Sequence, residues 1–160
     1  MNRILSLIAI TTLLLAAGAC SGKKQPEQTA VRSKSALSVL RNMVSSYEKK
    51  DLPVFMADVA NNYQDRKAFS ASLAAIFSKN ESIRLNIPYT KMIILVQENA
   101  QVKVTFNWDG EWMAAGATQK NGGRATLILE PGTFKLLSIE GKNPFVPQVS
   151  EIPGANTSSK

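Results

Sequence analysis

The chain has 160 residues, of which 44% are hydrophobic, and a formal net charge of +7, a size and composition typical of one globular domain. It has no histidine and a single cysteine, which excludes a Ser-His-Asp or Cys-His catalytic arrangement, a disulfide within the chain and the usual zinc ligand sets. Basic residues are scattered in pairs such as Lys49-Lys50 and Arg66-Lys67, a distribution that favours solvated faces near an anionic bilayer over nucleic-acid binding.

Residues 1–19 have the layout of a secretory signal peptide. Arg3 supplies a positive charge, residues 4–17 are apolar apart from one serine and two threonines, and Ala17-Gly18-Ala19 are small enough for a peptidase groove. The apolar run is shorter than the roughly 20 residues that a spanning helix needs. An uncleaved transmembrane anchor is therefore the weaker interpretation.

The segment Leu15-Ala16-Ala17-Gly18-Ala19-Cys20 resembles the lipobox of bacterial lipoproteins, although Ala17 stands where that family usually has leucine. The resemblance implies that Cys20 carries a diacylglyceryl thioether and becomes the new N-terminus. Two long acyl chains already make anchoring stable. Ser21 after the cysteine implies the outer membrane, facing the periplasm, in bacteria of the enteric type. The alternative is a chance cysteine at the end of a signal peptide.

A tether and a long helix are predicted after the anchor. Residues 20–29 are polar and contain Gly22 and Pro26, which is typical of a flexible tether. Apolar residues at spacings of three and four then predict a helix over residues 30–50. Its buried face would consist of Leu37, Leu40, Met43, Val44 and Tyr47.

Two further helices each follow an aspartate that can act as an N-cap. Asp51-Leu52-Pro53 predicts a short helix to about Asn61 that buries Phe55 and Val59. Asp65 can cap a third helix over residues 66–79. The buried face of this third helix would consist of Phe69, Leu73, Ile76 and Phe77.

After Asn80 the hydrophobic period changes from about 3.6 to 2, which predicts strands. Apolar residues alternate at Ile83, Leu85 and Ile87, and Pro88 must lie at a bend, a bulge or an edge because it cannot donate to a strand ladder. Residues 92–96 continue as an apolar run, and Glu98-Asn99 predicts a turn. The next strand would present Val102, Val104, Phe106 and Trp108 on one face.

Three more dipeptides predict turns: Asp109-Gly110, Asn121-Gly122 and Pro131-Gly132. With strands between them, the prediction is a curved antiparallel meander of four to six strands. Residues 113–117 lack alternation, so residues 111–120 remain open as strand or loop. Residues 146–160 are rich in Pro, Ser, Gly and Asn, which predicts a disordered tail.

Three helices followed by a sheet that ends in Gly141-Lys142-Asn143-Pro144-Phe145 resemble the nuclear-transport-factor-2-like superfamily of cone-shaped α+β proteins, and more narrowly its small bacterial lipoproteins. The resemblance covers residues 30–145. It implies a sheet wrapped around the first helix, a mostly apolar cavity and frequent dimers through the exposed sheet face. The short strand often found before the third helix is not evident in residues 61–65, so the mouth of the cone is open or differently built.

Five aromatic residues are candidates for a ligand site: Tyr47, Tyr63, Tyr89, Trp108 and Trp112. Packing is the favoured interpretation for two of them, because Tyr47 continues the helical stripe and Trp108 continues the alternation of its strand. Enzymes of the superfamily, such as ketosteroid isomerase, pair a carboxylate base with acidic groups inside the cone, so Asp58 and Asp65 are the carboxylates to check. No catalytic motif matches, Asp58 is expected to face solvent, and Asp65 has a sufficient role as an N-cap.

The sequence therefore predicts a lipoprotein of the bacterial envelope, anchored at Cys20, with one non-catalytic α+β domain. The domain is expected to bind a small apolar ligand or a protein partner, without a cofactor or a metal ion. Two alternatives stay open: a structural homodimer or assembly subunit that uses the sheet face, and a cone-fold isomerase or dehydratase.

Overall fold

The computed structural model describes residues 25–96 and 100–147, which form three α-helices followed by one antiparallel sheet of five strands. The helices are α1 (Gln25–Glu48), α2 (Leu52–Ala57) and α3 (Arg66–Lys79). The strands are β1 (Ser82–Asn86), β2 (Ile93–Val96), β3 (Val102–Ala114), β4 (Ala117–Leu129) and β5 (Leu136–Gly141). The predicted α+β class, the order of helices before strands and the number of strands are confirmed.

Helix α1 begins inside the predicted tether, so the tether prediction is wrong for residues 25–29. Pro26 does not prevent this start because a proline in the first helical turn removes only an N–H that has no partner within the helix. Residues 27–31 are exposed, and the buried face lies further along the helix. It consists of Ala36, Leu40, Met43, Val44 and Tyr47. The signal peptide, Cys20 and residues 21–24 lie outside the described residues.

Helix α2 is shorter than predicted, and α3 has the predicted bounds. Val59 lies beyond α2 and forms an isolated parallel bridge with Leu136. In this bridge the Ala60 N–H donates to the Leu136 carbonyl at 2.9 Å and the Leu136 N–H donates to the Asp58 carbonyl at 2.8 Å. The short strand that the family often has before its third helix is therefore reduced to one bridge at Val59, just before residues 61–65.

Strand β3 is the centre of the sheet. It pairs with β4 over its full length, from Val102 opposite Leu129 to Ala114 opposite Ala117. Its other side pairs with β1 and β2, which lie end to end along the same edge. A 3₁₀ turn over Tyr89–Lys91 interrupts this edge directly after Pro88, which confirms the bend expected at the proline. The predicted turn at Glu98-Asn99 lies outside the described residues.

The turns predicted at Asp109-Gly110 and Asn121-Gly122 are wrong. Both dipeptides lie within strands, where Asp109 is opposite Gly122 and Gly110 is opposite Asn121. The chain reverses instead at Ala115 and Gly116, whose φ angles of 49° and 76° have the sign that a two-residue type I′ turn requires. Residues 111–120, left open as strand or loop, are thus the end of a long hairpin, with an ion pair of 2.6 Å between Glu111 and Lys120.

The last predicted turn, at Pro131-Gly132, is present. Gly132 has a φ of 85°, and the Glu130 N–H donates to the Lys135 carbonyl at 2.8 Å across the loop. Strand β5 then runs back along β4, with a β-bulge between Ile128 and Leu129. Within the described residues, no helix is long and apolar enough to cross a bilayer.

The segment after β5, residues 142–147, folds back over the inner face of the sheet, and we call it the strap. Its Phe145 is fully buried and its Val146 is half-buried against the core. The prediction of a disordered tail is therefore wrong for Val146 and Pro147, and residues 148–160 lie outside the described residues.

Candidate functional site

The interior between the helices and the inner face of the sheet contains aromatic side chains from the helices, the central strand and the strap. Fully buried rings come from α1, α2, β3 and the strap: Tyr47, Phe55, Phe106, Trp108 and Phe145. The Phe145 ring centroid lies 4.9 Å from that of Phe55 and 5.3 Å from that of Tyr47. Edge-to-face contacts at such distances are favourable for aromatic pairs. The apolar space that the resemblance implied is occupied here by the protein's own rings.

A buried hydrogen bond joins the helix layer to the sheet in this interior. The Trp112 Nε1–H donates to the Tyr47 hydroxyl oxygen at 2.9 Å. Burial raises the pKa of the Tyr47 phenol well above its ordinary value, and the bond from Trp112 offsets only part of that effect. Tyr47 is therefore a neutral hydroxyl at physiological pH. Among the described residues, no acceptor lies within hydrogen-bonding distance of its proton.

Trp108 holds the strap against the sheet. Its Nε1–H donates to the Lys142 carbonyl at 3.0 Å, and its ring stands perpendicular to that of Trp112, with centroids 6.3 Å apart. Both indoles point inward because they are four positions apart on one strand, an even spacing that places them on the same face. Gly110, between them, leaves the space that the Trp112 ring fills.

An open cleft of about 390 Å³ lies beside the strap. Strand β4 extends further than β5, whose pairing ends at Ala125 and Gly141, and the strap crosses the uncovered part of the inner face. The lining includes Trp108, Asn121, Lys142, Asn143, Val146 and Pro147. Its polar groups are two amides and one ammonium, which suit hydrogen-bond acceptors better than cations.

The five sequence-predicted ligand residues do not form one site. Tyr47, Trp108 and Trp112 meet in the core, as described above. Tyr63 is half-buried and stacks on Phe69 with centroids 4.8 Å apart. Tyr89 lies in the 3₁₀ turn, with the Arg41 guanidinium 5.2 Å from its ring centroid. The favoured interpretation of Tyr47 and Trp108 as packing residues agrees with their burial.

The sequence analysis missed the residues of the strap as parts of the interior. Asn143-Pro144-Phe145 served there only as a family marker. The signal available in the sequence was an aromatic residue directly after an Asn-Pro pair. In the structure, the Asn143 side-chain oxygen accepts the Phe145 and Val146 N–H groups at 2.9 and 3.3 Å. Such an Asx turn redirects the chain. Here it sends Phe145 inward.

The two carboxylates singled out for catalysis lie away from the aromatic interior. Asp58 follows α2 and is half-buried, not solvent-facing as expected; burial raises the pKa of its carboxyl, and Lys135 opposes that shift. Asp65 is exposed. Among the described residues, the buried side chains that are polar or charged are Ser46 and Asn80, and no acidic or cysteine cluster is placed to hold a metal ion.

The outer face of the sheet carries an apolar area, which we call the outer patch. Directly paired residues point to the same face, so β2, β3 and β4 contribute two rows: Ile93, Thr105 and Thr126, then Leu95, Lys103 and Ile128. Ile93 is 51% exposed and Leu95 is 54% exposed. The Thr105 and Thr126 hydroxyls lie 2.9 Å apart in a hydrogen bond.

No family model matches the chain, and no curated protein matches its sequence. Solved structures match its fold. A nuclear transport factor 2-like superfamily protein from Salmonella enterica is 13% identical with a TM-score of 0.61, and the match covers 82% of this chain and 99% of that one. A candidate scytalone dehydratase from Novosphingobium aromaticivorans is 9% identical with a TM-score of 0.62, over 71% of this chain and 85% of that one.

The Bdellovibrio bacteriovorus protein Bd1075 is 14% identical with a TM-score of 0.54. The match covers 71% of this chain but only 42% of that protein, so the chain corresponds to less than half of Bd1075. At sequence identities this low, the structural matches show a common fold and give no information about activity. The domain has the nuclear-transport-factor-2-like fold, as the sequence predicted.

Proposed function

We propose that this chain is a lipid-anchored protein of the bacterial envelope whose domain binds a protein partner through the outer patch and performs no catalysis. Two exposed apolar side chains on the edge strand β2, Ile93 and Leu95, carry this proposal. Exposed apolar areas that are framed by polar residues often mark interaction surfaces. The partner would present apolar side chains to the patch and a carboxylate to Lys103, the cation of its second row.

The interior is packed with aromatic side chains, which favours a binding site on the surface of the domain over one inside it. Phe145, Tyr47 and Phe55 fill the space where the resemblance implied a ligand cavity. An isomerase or dehydratase of this fold would need a general base near its substrate, and the described interior holds no carboxylate. In the part of the chain that the structure describes, the enzyme alternative is supported by fold likeness to a candidate dehydratase.

The anchor is tested by Cys20→Ala. We expect this variant to lose the mass of the lipid and to leave the membrane fraction, because no other part of the lipobox segment can form the thioether. Intact mass spectrometry of fractionated cells measures both effects, and Ser21→Ala serves as a control that keeps the cysteine. An unchanged mass and an unchanged membrane fraction for Cys20→Ala would contradict the anchor.

The outer patch is tested by crosslinking in intact cells. A photocrosslinking amino acid at position 93 should give a discrete adduct that Leu95→Lys removes, because a buried ammonium in an apolar interface is costly. Val54→Lys is the matched control, since Val54 is 51% exposed but lies on α2. Mass spectrometry of the adduct identifies a partner or a second copy of this chain. An adduct from position 93 that Leu95→Lys and Val54→Lys reduce equally would refute the patch as a binding surface.

A further inference from the structure

The outward face of α1 carries three cations in one row, which we call the basic row: Lys34, Arg41 and Lys49. All three side chains are exposed. Their spacings of seven and eight residues are close to two helical turns each, so they lie on the same side of the helix. Lys49 follows the last residue of α1, but its N–H donates to the Ser45 carbonyl at 3.1 Å and continues the helical path. At 1.5 Å per residue the row is about 22 Å long.

No carboxylate neutralises the basic row within the described residues. Between Glu27 and Glu48 the sequence of α1 contains no aspartate or glutamate. In the described part of the chain, none of the three cations lies within ion-pair distance of a carboxylate. Arg41 lies over the ring of Tyr89, 5.2 Å from its centroid, and Glu48 accepts the Leu85 N–H at 2.8 Å. A helix face with cations and no acids is typical of contact with an anionic surface.

The chain before α1 is short, and with an anchor at Cys20 it keeps the domain close to the lipid. Four residues separate Cys20 from Gln25, the first residue of α1, and they span at most about 18 Å when fully extended. Two of the four, Lys23 and Lys24, are cations that offset Glu27 at the start of the helix. At this distance the headgroups are within reach, and the charge of each face decides which one turns toward them.

We propose that α1 lies along an anionic bilayer, with the basic row on the lipid headgroups and the outer patch facing away from the membrane. The proposal rests on the anchor at Cys20. Each lysine or arginine near an anionic surface strengthens association by about five-fold, and the lipid anchor makes the association intramolecular. The helices pack on the inner face of the sheet and the outer patch lies on the other face. This orientation therefore leaves the outer patch accessible to a protein partner.

The test couples the chain from Cys20 onward to a maleimide phospholipid through its one cysteine. Chemical coupling replaces lipidation by the cell, so a failure of docking is distinguished from a failure of the anchor, which Cys20→Ala tests separately. A fluorescent amino acid replaces either Ser38, which is exposed on the same face between Lys34 and Arg41, or Ile93 of the outer patch. The vesicles carry a spin label on the headgroups that quenches nearby fluorescence. They consist of phosphatidylcholine alone or of equal parts phosphatidylcholine and phosphatidylglycerol.

In vesicles with phosphatidylglycerol, we expect strong quenching at position 38 and weak quenching at position 93. Lys34→Glu/Lys49→Glu should lower the ratio of docked to undocked protein by at least about 25-fold, because two contributions of about five-fold are lost. Lys67→Glu/Lys79→Glu is the matched control, since it makes the same change of charge at two exposed lysines of α3. The control should retain most of the quenching. High salt should release the wild-type domain, because it screens exposed charges.

Three results would overturn the proposal. Equal quenching at position 38 in the two kinds of vesicle would show that anionic lipid does not orient the domain. Equal losses for the two double variants would show that net charge, and not α1, attracts the bilayer. Stronger quenching at position 93 than at position 38 would place the outer patch on the membrane. Circular dichroism verifies the fold of each variant, and Lys34→Gln/Lys49→Gln replaces the charge reversal if that variant loses helix.

Discussion

Gly110 lies under the indole of Trp112 in the middle of β3. A Cβ atom at this position would overlap the Cη2 atom of the ring and lie 2.6 Å from its Cζ3 atom. The ring cannot retreat easily because its Nε1–H is bonded to Tyr47. The glycine is therefore required by packing against an aromatic ring, although the preceding Asp109 gives it the appearance of a turn.

Gly110→Ala should lower the free energy of unfolding by about 1–3 kcal/mol, the usual cost of overpacking a core. Urea denaturation of the chain from Ser21 onward measures this loss. Gly123→Ala is the control on the facing strand, where the three atoms nearest to the added Cβ belong to the Lys142 side chain, with its Cδ atom at 2.5 Å and its Cβ atom at 2.9 Å. Equal losses for the two variants would show that the Trp112 ring is not the cause.

At the scale of elements, α2 and α3 begin in different ways although an aspartate precedes each of them. The Asp51 side chain accepts the Val54 N–H at 3.1 Å, which confirms its predicted role as an N-cap. Asp65 has a φ of 52° and makes no capping bond, so the same prediction for Asp65 is wrong. The chain enters α3 through a residue in the left-handed conformation, whereas an N-cap residue typically has β-region backbone angles.

These two aspartates should therefore respond oppositely to substitution. Asp51→Ala should destabilise the protein by about 1 kcal/mol through loss of the cap. Asp65→Gly should be neutral or stabilising by up to about 1 kcal/mol, because glycine adopts a positive φ without strain. Thermal and urea unfolding of the two single variants measure both changes. A loss for Asp65→Gly as large as that for Asp51→Ala would indicate a capping role that the structure does not contain.

At the scale of the whole molecule, burial of tyrosines ties stability to alkaline pH. Burial raises the pKa of Tyr47, Tyr63 and Tyr89 above their ordinary value, most strongly for Tyr47. In the unfolded chain these groups lose their protons near pH 10. Above that pH the unfolded state binds fewer protons than the folded state, so the free energy of unfolding must fall as pH rises.

We expect the tyrosine contribution to stability to be constant below about pH 9 and to decline from about pH 10 upward. Urea unfolding at pH 8 to 11 measures the slope, and Tyr47→Phe should make it shallower because the most strongly buried phenol is removed. Phe lacks the oxygen that accepts the Trp112 bond, so the variant should also be less stable at neutral pH. Identical slopes for wild type and Tyr47→Phe would refute the role of Tyr47.

Local patterns in the sequence determined the helices and much of the edge of the sheet. The bounds of α3, the cap at Asp51 and the bend at Pro88 follow from interactions among residues that are near each other in the chain, so their signals are local. The positions of the candidate ligand residues could be predicted only in part from such local patterns. Burial of Tyr47 and Trp108 follows from periodicity, but the failure of Tyr63 and Tyr89 to join them depends on how distant elements pack.

Tertiary structure alone decided the path of the long hairpin and the filling of the interior. Asp109-Gly110 and Asn121-Gly122 have the local preference of turns, yet each dipeptide lies opposite the other in the paired strands, and the inward positions of β3 continue through Gly110 to Trp112. Two buried indoles outweigh the turn preference because burial of large rings contributes more free energy than a turn dipeptide. The position of Phe145 also depends on tertiary packing. The space between Tyr47 and Phe55 that its ring occupies exists only after the helices have packed on the sheet, so no local sequence pattern predicts it.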